Sequence, residues 1–565
     1  MSEPTDRDGA FPRLTDAQRA WLRAIGRSRA VRQGDILFRE GDCACDLVVI
    51  ESGTVALVSR YGSEDRVIAV HGRHRFLGEL NLITGGVTYL TAIVRDPGEI
   101  VEVPLAELRS LIARDDDLAK LILRAYLARR SILVELGAGV SVIGSPRAAD
   151  SQRVRDFLVR NRVPHRWVDA TADDETMLAR AMVGEEHDFP LVTFGERMLR
   201  NPSNAELAAL LRIGARARQT QMFDLMIVGG GPAGLAAAVY GASEGLETAA
   251  LDQVAFGGQA GTSTRIENYL GFPAGVSGAN LTERAILQAR KFGARLIVAA
   301  SAVGLMPDGD GYAVTADGRA YRARTVLVAT GARYRRLAVP GVERFLGAGV
   351  YYAATPVEAQ GCLGGPTIVV GGGSSAGQAA LYLSRRSISC HIVVRGATLA
   401  ASMSQYLIDQ IEATPNITVL TGAEITAVDG DDSLREITIS IATSAGPFSR
   451  RLDATGLYVF IGAKPCTEWL NGSLATDAAG FLLTGRDLPD DALGHGRRGP
   501  LSLETSWPGV FAAGDVHAGS VKRVASAVGE GASAVSQVHR RLGDPVPPVE
   551  HPPNEHTHLR GVLDQ

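Results

Sequence analysis

Cysteine is scarce in this 565-residue chain: five, at positions 43, 45, 362, 390 and 466. Scattered thiols in so long a chain exclude a disulfide framework and point to a reducing, cytoplasmic setting. Excess charge of either sign is lacking too. Lys and Arg number 58 against 62 Asp and Glu, a formal net charge of −4, so no basic field calls for nucleic acid or a membrane surface. No uninterrupted apolar run is long enough to span a bilayer. The opening MSEPTDRDGA is polar and acidic, unlike a signal peptide. Cys43 and Cys45 form C-x-C, but no further ligands stand nearby, and no metal site is expected.

What the chain has in plenty is glycine, 64 residues, which suits tight turns and close approach of backbone to a ligand. The length predicts about four domains. Residues 1–135 alternate short β-like runs with GD, SG and YGS turns and end in a helical stretch. Residues 138–215 read as β-α-β-α-β-β-α: VSVIG, a helix over SQRVRDFLVRN, PHRWVDA, a helix around Glu175–Val183, PLVTF, then SNAELAALLRI. The tail 544–565 is Pro-rich and polar and is expected to be disordered.

Between them lie two glycine loops. FDLMIVGGGPAGLAAAVYGASEGLETAALD reads as strand, turn, helix and strand. Gly229, Gly231 and Gly234 give G-x-G-x-x-G: the first for the tight turn, the second for approach to a pyrophosphate, the third for helix–strand packing. The helix N-terminus then offers N–H groups to the phosphates. Asp252, 18 residues past Gly234, ends the second strand, where an acid grips ribose hydroxyls. Near the end, VFAAGD pairs a short strand with a helix expected to start near Ser520. A carboxylate there bonds a flavin's ribityl chain, and the helix start faces the edge where negative charge gathers on reduction.

GGGPAG, GGQ (Gly257–Gln259), IENY and AAGD, in this order around a second nucleotide loop, resemble the bacterial low-molecular-weight thioredoxin reductases. The resemblance covers about residues 222–543. It implies a homodimer, FAD held by a split domain (222–337 and 460–543) and a pyridine nucleotide held by an inserted domain (340–455). Carried over position by position, Gly229, Gly231, Gly234, Asp252, Gln259, Asn268 and Asp515 contact FAD. Lys522 and Arg523 stand where the family usually has Arg and Gln. Added positive charge there is expected to stabilise anionic reduced flavin.

The second loop, VVGGGSSAG, repeats the logic with Gly371, Gly373 and Ala376, and its following strand ends in Arg395. An acid at that place favours NAD; an arginine favours the 2′-phosphate of NADP. The family has His-Arg-Arg there, and here one arginine is kept, so NADPH is the expected donor with NADH possible.

The family's C-A-T-C segment, aligned on GVYYAATP, puts Ala353 and Pro356 where the thiols belong. Neither forms a disulfide, so the resemblance carries over hydride transfer to flavin but not the dithiol relay. The acceptor is left open: a quinone, a one-electron carrier or other redox protein, oxygen or a small molecule. Two alternatives stay beside this reading. One is thioredoxin reduction through unrecognised cysteines; the other is an NADPH-sensing regulator acting through the N-terminal blocks.

Those blocks have their own resemblances. GDILFREGDCACDLVVIESGTVALVS and FLGELNLITGGVTYLTAIV are similar to cyclic-nucleotide-binding domains over about 25–125, with Gly78, Glu79 and Leu80 at the phosphate cassette. The cassette arginine falls near Tyr89, so a cyclic phosphate lacks its charge partner. Block 138–215 resembles a glutaredoxin-like thioredoxin fold, with Ser145 and Ala148 in place of the catalytic cysteines and Phe189-Pro190 facing them. The expected architecture is therefore multidomain: an N-terminal β jelly roll with helices, an α/β thioredoxin-like domain, and two doubly wound α/β dinucleotide-binding domains.

Overall fold

The computed structural model describes residues 9–43, 46–61, 64–78, 86–108, 115–145, 148–169, 190–215, 221–263, 265–266, 268–352, 354, 359, 364–443, 446–490 and 499–543. The chain divides into two compact units, Met1–Ala215 and Arg216–Gln565.

The first unit opens with α1 (Asp16–Ile25), started by a reciprocal cap in which Thr15 accepts from Gln18 N–H and the Gln18 side chain accepts from Thr15 N–H. Strands β1 (Arg27–Val31), β2 (Ile36–Phe38), β3 (Leu47–Ile50), β4 (Thr54–Tyr61), β5 (Glu64–His71), β6 (Thr91–Asp96) and β7 (Gly98–Val103) follow. They pair antiparallel in two sheets, β1-β7-β3 and β2-β6-β4-β5. Val48, Ile50, Val55, Leu57 and Ile100 join one core, closed by Leu133 of α2 (Asp116–Leu136). Gly137, at φ 60°, ends α2 in the left-handed conformation that glycine adopts at no steric cost.

The same unit continues with β8 (Val140–Gly144), α3 (Ala149–Arg160), β9 (His165–Asp169), β10 (Leu191–Phe194), β11 (Arg197–Arg200) and α4 (Asn204–Leu211). The sheet order is β11-β10-β8-β9, with β8 and β9 parallel and the others antiparallel. A β-α-β half followed by a β-β-α half is the order expected from the sequence; the expected helix around Glu175–Val183 lies outside the described residues. Ring contact between Tyr89 and Phe194, edge-on at 5.8 Å, ties the β-roll to this sheet.

The second unit holds a mixed sheet and a parallel one. The first runs β14-β13-β12-β17-β16-β15, from β12 (Met222–Val228), β13 (Thr248–Asp252), β14 (Arg295–Val298), β15 (Ala302–Asp308), β16 (Gly311–Ala316) and β17 (Arg319–Val328). Strands β12, β13, β14 and β17 are parallel; β15 and β16 form an antiparallel edge. Met226 and Val228 enter one apolar core, while Leu225 and Ile227 enter another on the opposite face. A strand buried on both faces has to be apolar throughout, which is what LMIV supplies. Helices α5 (Pro232–Ser243) and α6 (Gly278–Lys291) follow β12 and β13.

After β18 (Ala332–Tyr334) and β19 (Val350–Tyr351) comes the parallel sheet, in the order β19-β26-β20-β21-β22. Its other strands are β20 (Pro366–Val370), β21 (Ser389–Val394), β22 (Ile417–Thr421) and β26 (Gly456–Val459); helix α7 (Ser374–Ser384) follows β20 and α8 (Gln405–Glu412) follows β21. A meander of β23 (Ala423–Gly430), β24 (Leu434–Thr443) and β25 (Gly446–Asp453) completes this part. The chain then returns: β27 (Ala463–Pro465) pairs with β18, and β28 (Val510–Ala512) adds to β17 of the first sheet. Helix α9 (Val524–Gly543) packs on α5 so tightly that a Cβ on Gly531 would lie 2.1 Å from the Ala233 carbonyl oxygen.

Candidate functional site: two dinucleotide loops and the turn before the last helix

Gly229 sits at φ 112°, and a Cβ there would lie 2.2 Å from the Ala329 carbonyl oxygen. At Gly234 a Cβ would lie 1.9 Å from the Gly229 carbonyl oxygen. Both positions therefore exclude side chains because backbone passes close by. Gly231 is different: the nearest atom to its Cβ position is 4.0 Å away. It is the N-cap of α5 and makes no side-chain cap bond, so the loop is open on the side where phosphate oxygens meet helix N–H groups. That cradle fits a dinucleotide pyrophosphate.

Asp252, at the end of β13, turns its carboxylate onto the loops. Oδ2 accepts from Gly230 N–H at 2.9 Å, and Oδ1 accepts from Val254 and Ala255 N–H at 2.9 and 3.0 Å. The sequence assigns this acid to ribose hydroxyls; the structure shows that it also holds the loop closed. Gln259 is exposed and donates from Nε2 to the Ala332 carbonyl, linking GGQ to the strand after β17. Asn268 is exposed in a turn just after the Ile266–Val276 bridge.

The third segment that the resemblance assigns to FAD is the turn after β28. Asp515 is half-buried; burial raises its carboxyl above the ordinary range, Lys522 and His517 pull it down and Glu530 pushes it up. Lys522 places its ammonium 4.5 Å from the Phe481 ring centroid. Arg523 is exposed, and its carbonyl accepts the Ala527 N–H at 3.0 Å. The last helix starts at Val524, four residues beyond Ser520. The reason is local: Arg523 N–H bonds the Val521 carbonyl at 2.6 Å, a tight turn that delays the first helical bond.

Two further residues here, Glu530 and His517, were not singled out by the sequence. Glu530 accepts Gly514 N–H at 2.6 Å and meets Nε2 of His517 at 3.0 Å, both through Oε2. Burial pushes Glu530 up, yet the bonds from His517 and Gly514 bring it below its ordinary value. His517 Nδ1 and Ser520 Oγ are buried without a hydrogen-bond partner. Orphaned polar atoms beside Asp515 are consistent with a site built for a polar ligand. Spacing gives no hint of Glu530, because its reach depends on how α9 is seated.

The second loop repeats the first with looser closure. Gly371 lies at φ 138°, and its Cβ would fall 2.2 Å from the Phe460 carbonyl oxygen. Gly373, the N-cap of α7, again lacks a side-chain cap bond, and its nearest neighbour would be 3.8 Å from a Cβ. Ala376 is fully buried against the sheet. Arg395 stands exposed one residue past β21. The unforeseen contributors are serines: Ser402 Oγ donates to the Gly372 carbonyl at 2.9 Å, and Ser404 N–H donates to Ser374 Oγ at 3.4 Å. These tie the segment before α8 to the glycine loop.

Ala353, Pro356 and Cys362 lie outside the described residues, as does Cys45. Of the others, Cys390 is buried, which pushes its thiol up to about 11. Burial raises Cys466 as well. Neither is poised as a thiolate. Cys43 is exposed, in the first unit.

In that unit Gly78 is described and Glu79 and Leu80 are not. The Gly78 carbonyl accepts from Arg129 Nη1 at 2.7 Å, and the same guanidinium donates to Ala10 and Phe76 carbonyls. Tyr89, where a cassette arginine is expected, is 1% exposed, with the Arg130 guanidinium 5.2 Å from its ring centroid. The position is spent on packing against Phe194. Ser145 is half-buried at the end of β8, Ala148 is an N-cap without a side-chain bond, and Pro190 lies against Gly144.

Residues 223–531 match the pyridine nucleotide-disulphide oxidoreductase family, and residues 28–115 match the cyclic nucleotide-binding domain. A thioredoxin reductase of Mycolicibacterium smegmatis is 34% identical over 327 residues, 57% of this chain and 97% of its own length. One of Streptomyces clavuligerus is 34% identical over 326 residues, covering 56% of this chain and 94% of itself. Among solved structures, the T. acidophilum thioredoxin reductase superposes with a TM-score of 0.51 at 26% identity, over 57% of this chain and 99% of that one.

Proposed function

The chain belongs to the pyridine nucleotide-disulphide oxidoreductase family, and on that premise we propose that it moves hydride from NADPH to FAD and passes the electrons straight to an acceptor, with no dithiol between. Thioredoxin reductases use FAD and NADPH, and this chain is an oxidoreductase of that kind. The observation that carries the finer reading is the pair Ala353 and Pro356 in place of C-x-x-C. The raised thiols of Cys390 and Cys466 support it, because a relay needs a thiolate next to the flavin.

In this reading Gly229, Gly231 and Gly234 admit the FAD pyrophosphate to the N-terminus of α5. Asp252 holds the loop and offers its one remaining acceptor site, on Oδ2, to the adenosine ribose. Gln259, Asn268 and Asp515 position the rest of the cofactor. Lys522 and Arg523 supply positive charge near its reducible end. FAD, once bound, supplies a two-electron hydride acceptor that returns electrons one or two at a time. Gly371, Gly373 and Ala376 seat NADPH on α7, and Arg395 selects the 2′-phosphate. Catalysis is then mainly positioning. A homodimer and a cytoplasmic setting go with the reading; no described helix is long and apolar enough to cross a membrane.

The test is anaerobic: reduce the holoprotein with NADPH, then mix it with a quinone, a one-electron carrier, oxygen or thioredoxin. Faster reoxidation by a thiol-free acceptor than by thioredoxin is expected. The similarity to thioredoxin reductases favours a second reading, disulfide reduction through Cys362. It predicts thioredoxin-dependent turnover that Cys362→Ser abolishes.

A further inference from the structure

A serine beside the second glycine loop stands where the first loop has its acid. Gly230 and Gly372 are the middle glycines of the two GGG runs. A Cβ on Gly230 would lie 3.0 Å from Asp252 Oδ2, and a Cβ on Gly372 would lie 3.5 Å from Ser402 Oγ. Asp252 comes from the strand that follows its loop, whereas Ser402 comes from the turn before α8, 30 residues past Gly372. Packing holds that turn in place. Leu399 and Met403 are buried in one core with Ala376 of α7, and the N–H groups of Ser402 and Met403 bond the Leu399 carbonyl at 3.2 and 3.0 Å. Met403 Sδ lies 2.8 Å from where a Cβ on Gly377 would stand, so the bare glycine on α7 admits the sulfur that seats the turn. Ser402 itself is exposed, and its carbonyl oxygen lies 3.8 Å from the Cβ position of Gly373, the open N-cap of α7.

A serine hydroxyl has one proton and two lone pairs. Here the proton goes to the Gly372 carbonyl at 2.9 Å, so what is left for a ligand is acceptor capacity. An acid at this place in a dinucleotide fold accepts from the adenosine ribose 2′-hydroxyl. NADH carries that hydroxyl. NADPH carries a phosphate there, ionised near neutral pH and itself an acceptor. We infer that Ser402 accepts a hydrogen bond from the adenosine 2′-hydroxyl of NADH, so that the second loop reads two nucleotides with two groups: Ser402 the hydroxyl, Arg395 the phosphate. This rests on the proposed seat of the pyridine nucleotide at the second loop. Ser402 touches the ribose and takes no part in hydride transfer. Its effect is on selectivity: it narrows the preference for NADPH that Arg395 sets.

The test uses the full-length holoprotein, mixed anaerobically with NADH, NADPH or NADH lacking the adenosine 2′-hydroxyl. Flavin bleaching is followed against nucleotide concentration. In Ser402→Ala the half-saturating NADH concentration is expected to rise about fivefold more than that of NADPH, the effect of losing one neutral hydrogen bond. The deoxy nucleotide is expected to show the same weakening in the wild type and no further weakening in Ser402→Ala. Ser402→Thr keeps the hydroxyl and is expected to restore NADH. FAD content and unfolding midpoint check that each variant is folded. Equal rises for NADH and NADPH would make Ser402 a support of the loop alone and overturn the inference. So would a further loss with the deoxy nucleotide in Ser402→Ala. A holoprotein that neither NADH nor NADPH bleaches sinks the hydride reading and this inference together; one bleached by both, with equal rises, sinks only the inference.

Discussion

The two glycine loops share a plan and differ in closure. Each has a left-handed first glycine pressed against a carbonyl, Ala329 for Gly229 and Phe460 for Gly371, and each leaves the helix N-cap open. The residue that ends the following strand separates them. Asp252 is drawn inward and bonded to three backbone N–H groups. Arg395 stands in solvent. The first loop is therefore built shut around its site before any ligand arrives, which suits a resident cofactor. The second leaves Arg395 exposed at the corresponding place, which would suit a ligand that comes and goes.

The strongest break of that contrast is Gly234→Val. No rotamer relieves a Cβ 1.9 Å from a backbone oxygen, so the loop has to move, and FAD content of the purified protein is expected to fall below detection. Ala376→Val in the second loop overfills a core site at about 1–3 kcal/mol and is expected to leave FAD in place, read by absorbance and thermal unfolding.

Next in size is Asp252→Asn. The amide keeps an acceptor for one side of the loop but sets a donor against a donor on the other, costing about 1–3 kcal/mol. FAD affinity, measured by titrating apoprotein, is expected to drop by roughly ten- to a hundredfold. Arg395→Ala, at the equivalent place, is expected to leave FAD binding alone and raise the KM for NADPH by about tenfold, with NADH unchanged. An equal effect on both nucleotides would mean that Arg395 does not read the 2′-phosphate.

The smallest effect sharpens the comparison from the flavin side. Arg523→Gln removes an exposed charge worth about 1 kcal/mol to a nearby anion in high dielectric, so the midpoint potential is expected to fall by about 20 mV. An unchanged midpoint would remove Arg523 from the account.

How much of this was legible in the sequence follows from how local each constraint is. G-x-G-x-x-G is a demand of one turn on its own backbone, so Gly229, Gly231 and Gly234 are readable from spacing. The start of α9 was misplaced by four residues because the turn at 520–523 satisfies itself first. Glu530 and His517 could not be read as a pair, since they meet only once α9 has packed against α5. Tyr89 and Phe194 stand over a hundred residues apart, and the sequence shows only that an arginine is missing, not that a ring contact has replaced it. The thioredoxin-like block was visible in its strand and helix order, but its seat on the β-roll was not.

The central claim is that FAD is the sole redox centre. Anaerobic titration with dithionite measures this directly, by counting the electrons the holoprotein accepts per flavin. Two electrons per FAD, with a single spectral phase, is the result predicted here; four electrons, the second pair taken up by a disulfide, would contradict it.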